Sequence, residues 1–126
     1  MAKKELSLGK SGEDLAVRFI KGKGYKIIAR RYKVKFGEID IVALDKDTLC
    51  FIEVKSRRSS RFGLAKEAVS SLKQRRISKV ALNFLKENSL LNKRARFDVV
   101  SVDFSSSPFK LSLIKDAFEV SGGFSY

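Results

Sequence analysis

Apolar residues near the N-terminus recur at the spacing of one helix face: Leu15, Ala16, Phe19 and Ile20. This spacing predicts a first helix that begins after an N-cap at Ser11, with Asp14 three residues later, and ends at about Lys23. Gly24 follows directly and is predicted to stop the helix, because glycine readily adopts the left-handed conformation of a helix C-terminus.

Period-two alternation and clusters of β-branched residues predict three consecutive strands after this helix. They cover residues 26–32, 36–44 and 49–56, and the last two flank the polar turn residues Lys46 and Asp47. These two strands are therefore predicted to form a β-hairpin.

The second half of the chain repeats the change from helical to strand spacing. A long helix is predicted from Ala65 to Glu87, with Leu72 on its apolar stripe, followed by strands at 96–104 and 111–114. A strand reached across a helix is normally parallel to a neighbour. The order α-β-β-β-α-β predicts an α/β fold in which helices flank a mixed sheet.

The hairpin turn brings charged residues of its two strands opposite each other. Asp40 is predicted to face Glu53, and Glu38 to face Lys55, with opposed Cβ atoms roughly 4.5–5.5 Å apart. Alternation places these four side chains on one face of the hairpin. The predicted opposite face carries Ile39, Ile41, Ile52 and Val54.

Two opposed carboxylates repel each other unless a cation lies between them. A divalent ion with hard oxygen ligands, Mg²⁺ or Mn²⁺, meets this need and would be bound by Asp40, Glu53 and the carbonyl of Val54. Lys55 would orient the attacking water or stabilise charge on a phosphate. Glu38 is either a further carboxylate of the site or only the partner of Lys55. This arrangement is typical of a metal-dependent phosphodiesterase.

The composition restricts both the chemistry and the partners. The chain has no histidine and a net charge of +13, so catalysis is expected to use carboxylates, lysines and a bound ion. Basic residues concentrate in segments 1–35 and 53–96, on either side of an acidic segment 36–52. This distribution favours binding to nucleic acid over a merely solubilising surface, and it does not distinguish DNA from RNA.

Length and apolar content predict a single domain over residues 1–126. No apolar run reaches the about 20 residues of a membrane span, so no membrane partner is expected, and the N-terminal segment lacks the apolar core of a signal peptide. Cys50 is the only cysteine and is predicted to be a small apolar strand residue. We therefore expect a cytoplasmic protein without a disulfide.

A series of short motifs over nearly the whole chain resembles the YraN family of small bacterial proteins. The motifs include Gly12-Glu13-Asp14-Leu15-Ala16, Gly37-Glu38-Ile39-Asp40, Glu53-Val54-Lys55-Ser56-Arg57, Phe62-Gly63, Lys73-Gln74-Arg75-Arg76 and Arg96-Phe97-Asp98-Val99-Val100. That family is named as uncharacterised and is regarded as nuclease-like, akin to archaeal Holliday-junction resolvases of the PD-(D/E)XK superfamily. Ala65 departs from the pattern, because such proteins often have proline there.

The resemblance implies a restriction-endonuclease-like fold and a nuclease that acts on DNA, including branched or flapped DNA, as a homodimer. It also supports a helical candidate. Glu13 lies at the N-terminal end of the buried face of the first helix, whereas Asp14 falls on the face that is exposed to solvent. We expect Glu13 near the metal, as in resolvase-like relatives. Gln74 resembles a glutamine near the metal of some RecB-type nucleases.

Basic side chains around the site are expected to contact phosphates: Arg57, Arg58, Arg61, Lys73, Arg75 and Arg76. Lys73 and Arg76 fall on the nominally apolar stripe of the second helix, so they either face a cleft or extend their stems along the edge of the stripe. Phe36 and Phe62 are predicted to be core residues rather than platforms for stacked bases.

Three functions agree with these observations. The first is a metal-dependent nuclease, and the second is a non-catalytic nucleic-acid-binding module that retains the fold. The third is a small protein-interaction factor of an RNA or ribosomal complex. The predicted pairing of Asp40 with Glu53 favours the nuclease, because the third function leaves that pairing unexplained.

Overall fold

A computed structural model describes residues 8–58 and 70–119 of the chain. Its elements are α1 (Leu8–Gly22), β1 (Lys26–Val34), β2 (Gly37–Asp45), β3 (Thr48–Arg57), α2 (Ser71–Glu87), β4 (Ala95–Asp103) and β5 (Lys110–Phe118). The predicted order α-β-β-β-α-β and the α/β fold class are confirmed, and the strand predicted at 111–114 is observed as the longer β5. Within the described ranges, no helix has the length and apolarity needed to cross a membrane.

The five strands form one mixed sheet in the order β1-β2-β3-β4-β5. Only β3 and β4 are parallel; the other neighbours are antiparallel. The parallel pair arises because the chain crosses back along α2 before it enters β4, as predicted from the order of elements.

In the described part of the chain, one helix packs on each face of the sheet. Ala16 and Ile20 of α1 are buried with Ile41, Cys50 and Ile52. On the opposite face, α2 buries a second cluster with residues of β2, β3 and β4: Ile77, Val80, Ala81, Phe84 and Leu85 pack with Ile39, Val42, Leu49, Phe51, Phe97 and Val99. Successive residues of β3 alternate between the clusters, because neighbouring strand side chains point to opposite faces.

The end of α1 follows the prediction and its beginning does not. Gly24 has φ 95°, and its N–H donates to the carbonyl of Lys21 at 3.0 Å, so it ends the helix as expected. Ser11, however, lies inside the helix, which begins at Leu8. The predicted N-cap is wrong because the three residues before Ser11 contain no proline and already continue the helix.

The second helix begins later than predicted. Ser70 has the extended conformation of an N-cap (φ −67°, ψ 163°), and its side chain accepts a hydrogen bond from the N–H of Lys73 at 3.2 Å. An unbroken helix from Ala65 is therefore wrong, and Ala65 itself lies outside the described residues. Leu72 is 52% exposed, not buried, because the first turn of α2 precedes the stretch that packs on the sheet.

The motif Arg96-Phe97-Asp98 builds a buried polar cluster on the α1 face. Asp98 is fully buried and accepts hydrogen bonds from Tyr25 Oη at 3.0 Å and Arg96 Nε at 2.9 Å. Arg96 also bonds Asp45 at 2.8 Å. Burial, and then the charge of Asp98, raises the pKa of the nearby Cys50 thiol to about 12, so Cys50 is a protonated core residue.

Candidate active site

The β2–β3 hairpin has the predicted register. Asp45 pairs with Thr48 and Ile41 pairs with Ile52, which leaves a two-residue turn in which Lys46 has φ 57°. The next positions along the two strands are Asp40 and Glu53, where the paired ladder has ended.

Asp40 contacts β3 through its side chain rather than through the ladder. The backbone N–H of Val54 donates to Asp40 Oδ2 at 2.8 Å. Burial, followed by the negative charge of Glu53, raises the pKa of Asp40 above its usual value. The structure therefore brings the two carboxylates close enough to repel each other.

Two details of the predicted hairpin are wrong, because β2 leaves β3 at Asp40. Ile39 packs in the α2 cluster, whereas Ile41 packs in the α1 cluster, so their alternation is interrupted between them. Glu38 pairs with Lys33 of β1 instead of facing Lys55. Past the end of this ladder, β1 is the strand that still pairs with β2.

Glu53 is buried (7% exposed) and lies beside two lysines. Lys73 Nζ of α2 is 2.5 Å from Glu53 Oε2, and Lys55 Nζ is 3.9 Å from the same oxygen. Burial and then the charge of Lys73 lower the pKa of Lys55. Burial alone would lower the pKa of Lys73 too, but the hydrogen bond and charge of Glu53 outweigh it and raise that pKa. Lys73, predicted to contact phosphates and either to face a cleft or to extend its stem along the apolar stripe, thus faces the cleft and contacts Glu53.

Glu13 is the buried acid of α1, as its helical position predicts, with 5% exposure. Arg30 Nε and Arg31 Nε contact its two carboxylate oxygens at 3.2 and 3.1 Å, and Arg30 also contacts the more exposed Asp14 at 2.7 Å. Glu13 is therefore held by two guanidinium groups.

Arg31 belongs to the site but was not predicted. Its backbone is left-handed, with φ 53°, and both it and the preceding Arg30 reach Glu13 on the same side of the sheet. Strand alternation would separate two consecutive side chains. The sequence shows adjacent arginines here, but no glycine or asparagine that would signal a left-handed residue.

Two cavities meet at the acidic pair. One of about 340 Å³ is lined by Glu13, Arg31, Asp40, Glu53, Val54, Lys55, Ser56 and Lys73. The other, of about 400 Å³, is lined by Gly37, Glu38, Asp40, Glu53, Lys73, Arg76 and Ile77. Asp40, Glu53 and Lys73 line both, so the cleft extends to either side of the carboxylates.

Other predicted site residues lie farther out. Gln74 is half-buried and lines neither cavity. Arg57 is half-buried at the end of β3, where it pairs with Asp103 of β4. Arg58, Arg75 and Arg76 are exposed, and Arg76 lines the second cavity. Arg61 and Phe62 fall outside the described residues.

Phe36 is 49% exposed, so its predicted core position is wrong. It precedes β2 in the turn between β1 and β2, where neither helix covers it. The described residues contain no ready-made group of three or more acidic, histidine or cysteine side chains that could hold a metal. The third nearby acid, Glu13, is engaged by the arginines instead.

The fold and the cleft define an α/β protein with a carboxylate–lysine centre between β2, β3 and α2. Residues 12–102 match the family described as "Uncharacterised protein family UPF0102". The chain belongs to this family, which confirms the predicted membership of the YraN family.

Similar proteins of this family occur in several bacteria. A UPF0102 protein of Syntrophus aciditrophicus is 48% identical over 118 residues, which cover 94% of this chain and 93% of the relative. One from Geobacter metallireducens is 46% identical, covering 90% of this chain and 93% of the relative. UPF0102 protein CPE1705 of Clostridium perfringens is 44% identical and matches over its full length, with 95% of this chain covered.

Among solved structures, Pyrococcus furiosus SfsA in complex with Ca²⁺ is a distant neighbour. It is 13% identical with a TM-score of 0.39, and the alignment covers 86% of this chain and 61% of that chain. At this level of similarity, no inference about fold or function rests on SfsA.

Proposed function

We propose that the protein is a metal-dependent nuclease that hydrolyses phosphodiester bonds of nucleic acids, with DNA favoured over RNA. One observation carries the proposal. Asp40 and Glu53 enter one cleft from adjacent strands, and Lys55 lines the same cleft two residues after Glu53. A like-charge pair of a buried and a half-buried carboxylate beside a lysine is an arrangement that folding alone does not require.

A divalent ion, Mg²⁺ or Mn²⁺, suits these residues. The pKa of Asp40 is raised by burial and by the charge of Glu53, so the pair gains from a hard cation with oxygen ligands. Asp40, Glu53 and the carbonyl of Val54 would hold the ion, with Glu13 behind them. Such an ion polarises a phosphate and lowers the pKa of a bound water.

The chain's own side chains would perform the remaining tasks. Lys55 would orient the attacking water and stabilise charge that develops on the phosphate. Arg31, held by Glu13 at the wall of the cleft, and Arg76 in the second cavity would bind phosphates on either side of the bond that is cut. Arg58 and Arg75 would extend this contact, because both are exposed, Arg58 directly after β3 and Arg75 on α2.

The substrate class follows from charge and from family resemblance. A net charge of +13 favours a polyanion. The resemblance to Holliday-junction resolvases supports branched or flapped DNA and a homodimer as parts of this proposal.

A nucleic-acid-binding module without catalysis is the second candidate, and one contact favours it. Lys73 lies 2.5 Å from Glu53, so the carboxylate is neutralised without a metal, as in a structural ion pair. In that case the fold would present a basic surface and the acidic pair would have no chemical role.

The decisive experiment compares cleavage and binding in the same variants. With Mn²⁺ or Mg²⁺, wild-type protein is expected to cut at least one of a panel of single-stranded, duplex, flap and four-way DNA and RNA substrates. Asp40→Ala, Glu53→Ala and Lys55→Ala should lower the cleavage rate at least about 100-fold, the scale of one group that stabilises transition-state charge, while they still bind. EDTA should abolish cleavage.

Asp47→Ala is the matched control, because Asp47 is an exposed acid in the turn of the same hairpin and should cut like wild type. Equal cleavage by wild type and Glu53→Ala on every substrate would leave the binding module as the better account.

A further inference from the structure

Among the described residues, carboxylates and ammonium groups at the centre of the cleft are equal in number without a metal ion. This centre holds two carboxylates, Asp40 and Glu53, and two ammonium groups, Lys55 and Lys73. A divalent ion added to this set would leave an excess of positive charge, unless one ammonium group leaves or an anion enters.

Lys73 is the ammonium group whose position conflicts with metal binding. Its Nζ contacts Glu53 Oε2 directly, whereas Lys55 Nζ is 3.9 Å from that oxygen. A divalent ion bound to Glu53 would repel an ammonium group so close to the same carboxylate. The side chain of Lys73 is also the more exposed of the two, at 41% against 26% for Lys55, so Lys73 is the side chain that can give way.

The fold offers Lys73 a second position. It lies in the first turn of α2 after the Ser70 cap, and its side chain is 41% exposed. It lines both cavities, and in the second one it lies with Arg76. A long flexible stem can therefore turn the ammonium from Glu53 toward a phosphate bound beside Arg76.

We infer that Lys73 is an exchangeable counter-ion, which neutralises Glu53 in the free protein and moves to a substrate phosphate when a divalent ion binds Glu53. The inference rests on the proposed function and adds a way in which metal binding is regulated by the substrate. Metal binding alone must break the Lys73–Glu53 contact and leave the ammonium without an anion. A bound phosphodiester supplies that anion, so metal and nucleic acid should each strengthen the binding of the other.

The test measures Mn²⁺ binding to the free protein by calorimetry, without nucleic acid. Lys73→Met keeps a similar stem but removes the charge, and its Mn²⁺ dissociation constant should fall at least about fivefold, the lower end of typical coupling between sites. Lys73→Arg should bind Mn²⁺ as weakly as wild type. Lys79→Met removes the same charge from an exposed position of α2 and should leave the affinity unchanged.

Coupling is measured by repeating the titrations with phosphorothioate DNA, which resists hydrolysis. The DNA should raise the Mn²⁺ affinity of wild type and of Lys79→Met, and raise that of Lys73→Met much less. In unmodified protein, saturating Mg²⁺ should shift the NMR signal of the Lys73 ammonium group, a readout that does not depend on any variant folding.

Separate outcomes overturn the inference and the proposed function. Mn²⁺-dependent cleavage by wild type, together with unchanged Mn²⁺ affinity in a folded Lys73→Met variant, overturns the exchange of Lys73 alone. If saturating Mg²⁺ does not shift the NMR signal of the Lys73 ammonium group, the exchange of Lys73 is likewise overturned. Absence of both metal binding and cleavage in wild type and Lys73→Met overturns the nuclease and the exchange together.

Discussion

Arg31 is a residue held in a conformation that its side chain disfavours. A non-glycine residue with left-handed φ costs roughly 1–2 kcal/mol, and Arg31 has φ 53° in the middle of β1. The strain directs two consecutive arginines to Glu13 at the wall of the cleft. Strain of this kind concentrates at functional sites, which agrees with a role for Arg31 at the phosphates.

Glycine and alanine substitutions can separate this backbone strain from the loss of the side chain. Arg31→Gly and Arg31→Ala both remove the contact with Glu13, but only glycine relieves the left-handed backbone. We expect Arg31→Gly to be more stable than Arg31→Ala by about 1 kcal/mol, measured by urea denaturation.

Arg30 provides the control, because it lacks a positive φ and also contacts Glu13. There the order should reverse, with Arg30→Ala the more stable variant, because glycine weakens an ordinary strand position. If alanine were the more stable substitution at Arg31 as well as at Arg30, the backbone of Arg31 would not be strained in solution.

Residues differ in how far the sequence could predict their place. Asp40 and Glu53 could be placed because turn length and period-two alternation fix the register of a hairpin. Lys73 and Arg31 could not, because the first depends on where α2 begins and docks, and the second on a conformation that arginine rarely adopts. Glu38 was misplaced because a hairpin rule cannot foresee where the ladder opens.

At the scale of elements, the close approach of α1 to β3 positions Glu13. A Cβ on Gly12 would lie 1.9 Å from Ser56 Oγ and 3.1 Å from Ser56 Cβ. Only glycine lets the helix pack this closely, and the next residue, Glu13, then lines the same cavity as Ser56.

Gly12→Ala is therefore expected to destabilise the protein by roughly 1–3 kcal/mol through overpacking, although alanine favours a helix over glycine by about 1 kcal/mol. Gly22→Ala, at the other end of the same helix, has no atom within 4 Å of the added Cβ and should be neutral or stabilising. Both are measured by chemical denaturation. Ser56→Ala should recover part of the loss in the double variant, since the two sites are in contact. Equal stability of the two glycine variants would mean that α1 lies farther from β3.

At the scale of the whole molecule, positive charge surrounds a cleft centre in which two carboxylates and two ammonium groups offset each other. Asp40, Glu53, Lys55 and Lys73 offset one another, so the net charge of +13 comes from residues around them. The sequence predicted the excess of positive charge and its segments. It left open whether Lys73 and Arg76 face a cleft, because that depends on the docking of α2 beside the open end of the hairpin.

Salt dependence tests whether the outer arginines bind phosphates. Because binding releases counterions, log K for DNA binding falls linearly with log [salt], with a slope of about −0.9 for each duplex phosphate contacted. Loss of one contact makes this slope less steep by about one. We expect Arg58→Ala/Arg76→Ala to flatten the slope by about two for duplex and branched DNA. Both residues are exposed, and Arg76 lines the second cavity.

The control is Lys79→Ala/Lys86→Ala, which removes the same charge from exposed positions of α2. Lys86 lies about 20 Å along the helix from Lys73, at 1.5 Å per residue, so long-range attraction changes equally while direct contacts remain. An equal change in slope for both pairs would assign the effect to net charge and remove the arginines from the interface. Weak DNA binding alongside tight, nearly salt-independent binding to a protein would instead favour an interaction factor, in which the basic surface has a different partner.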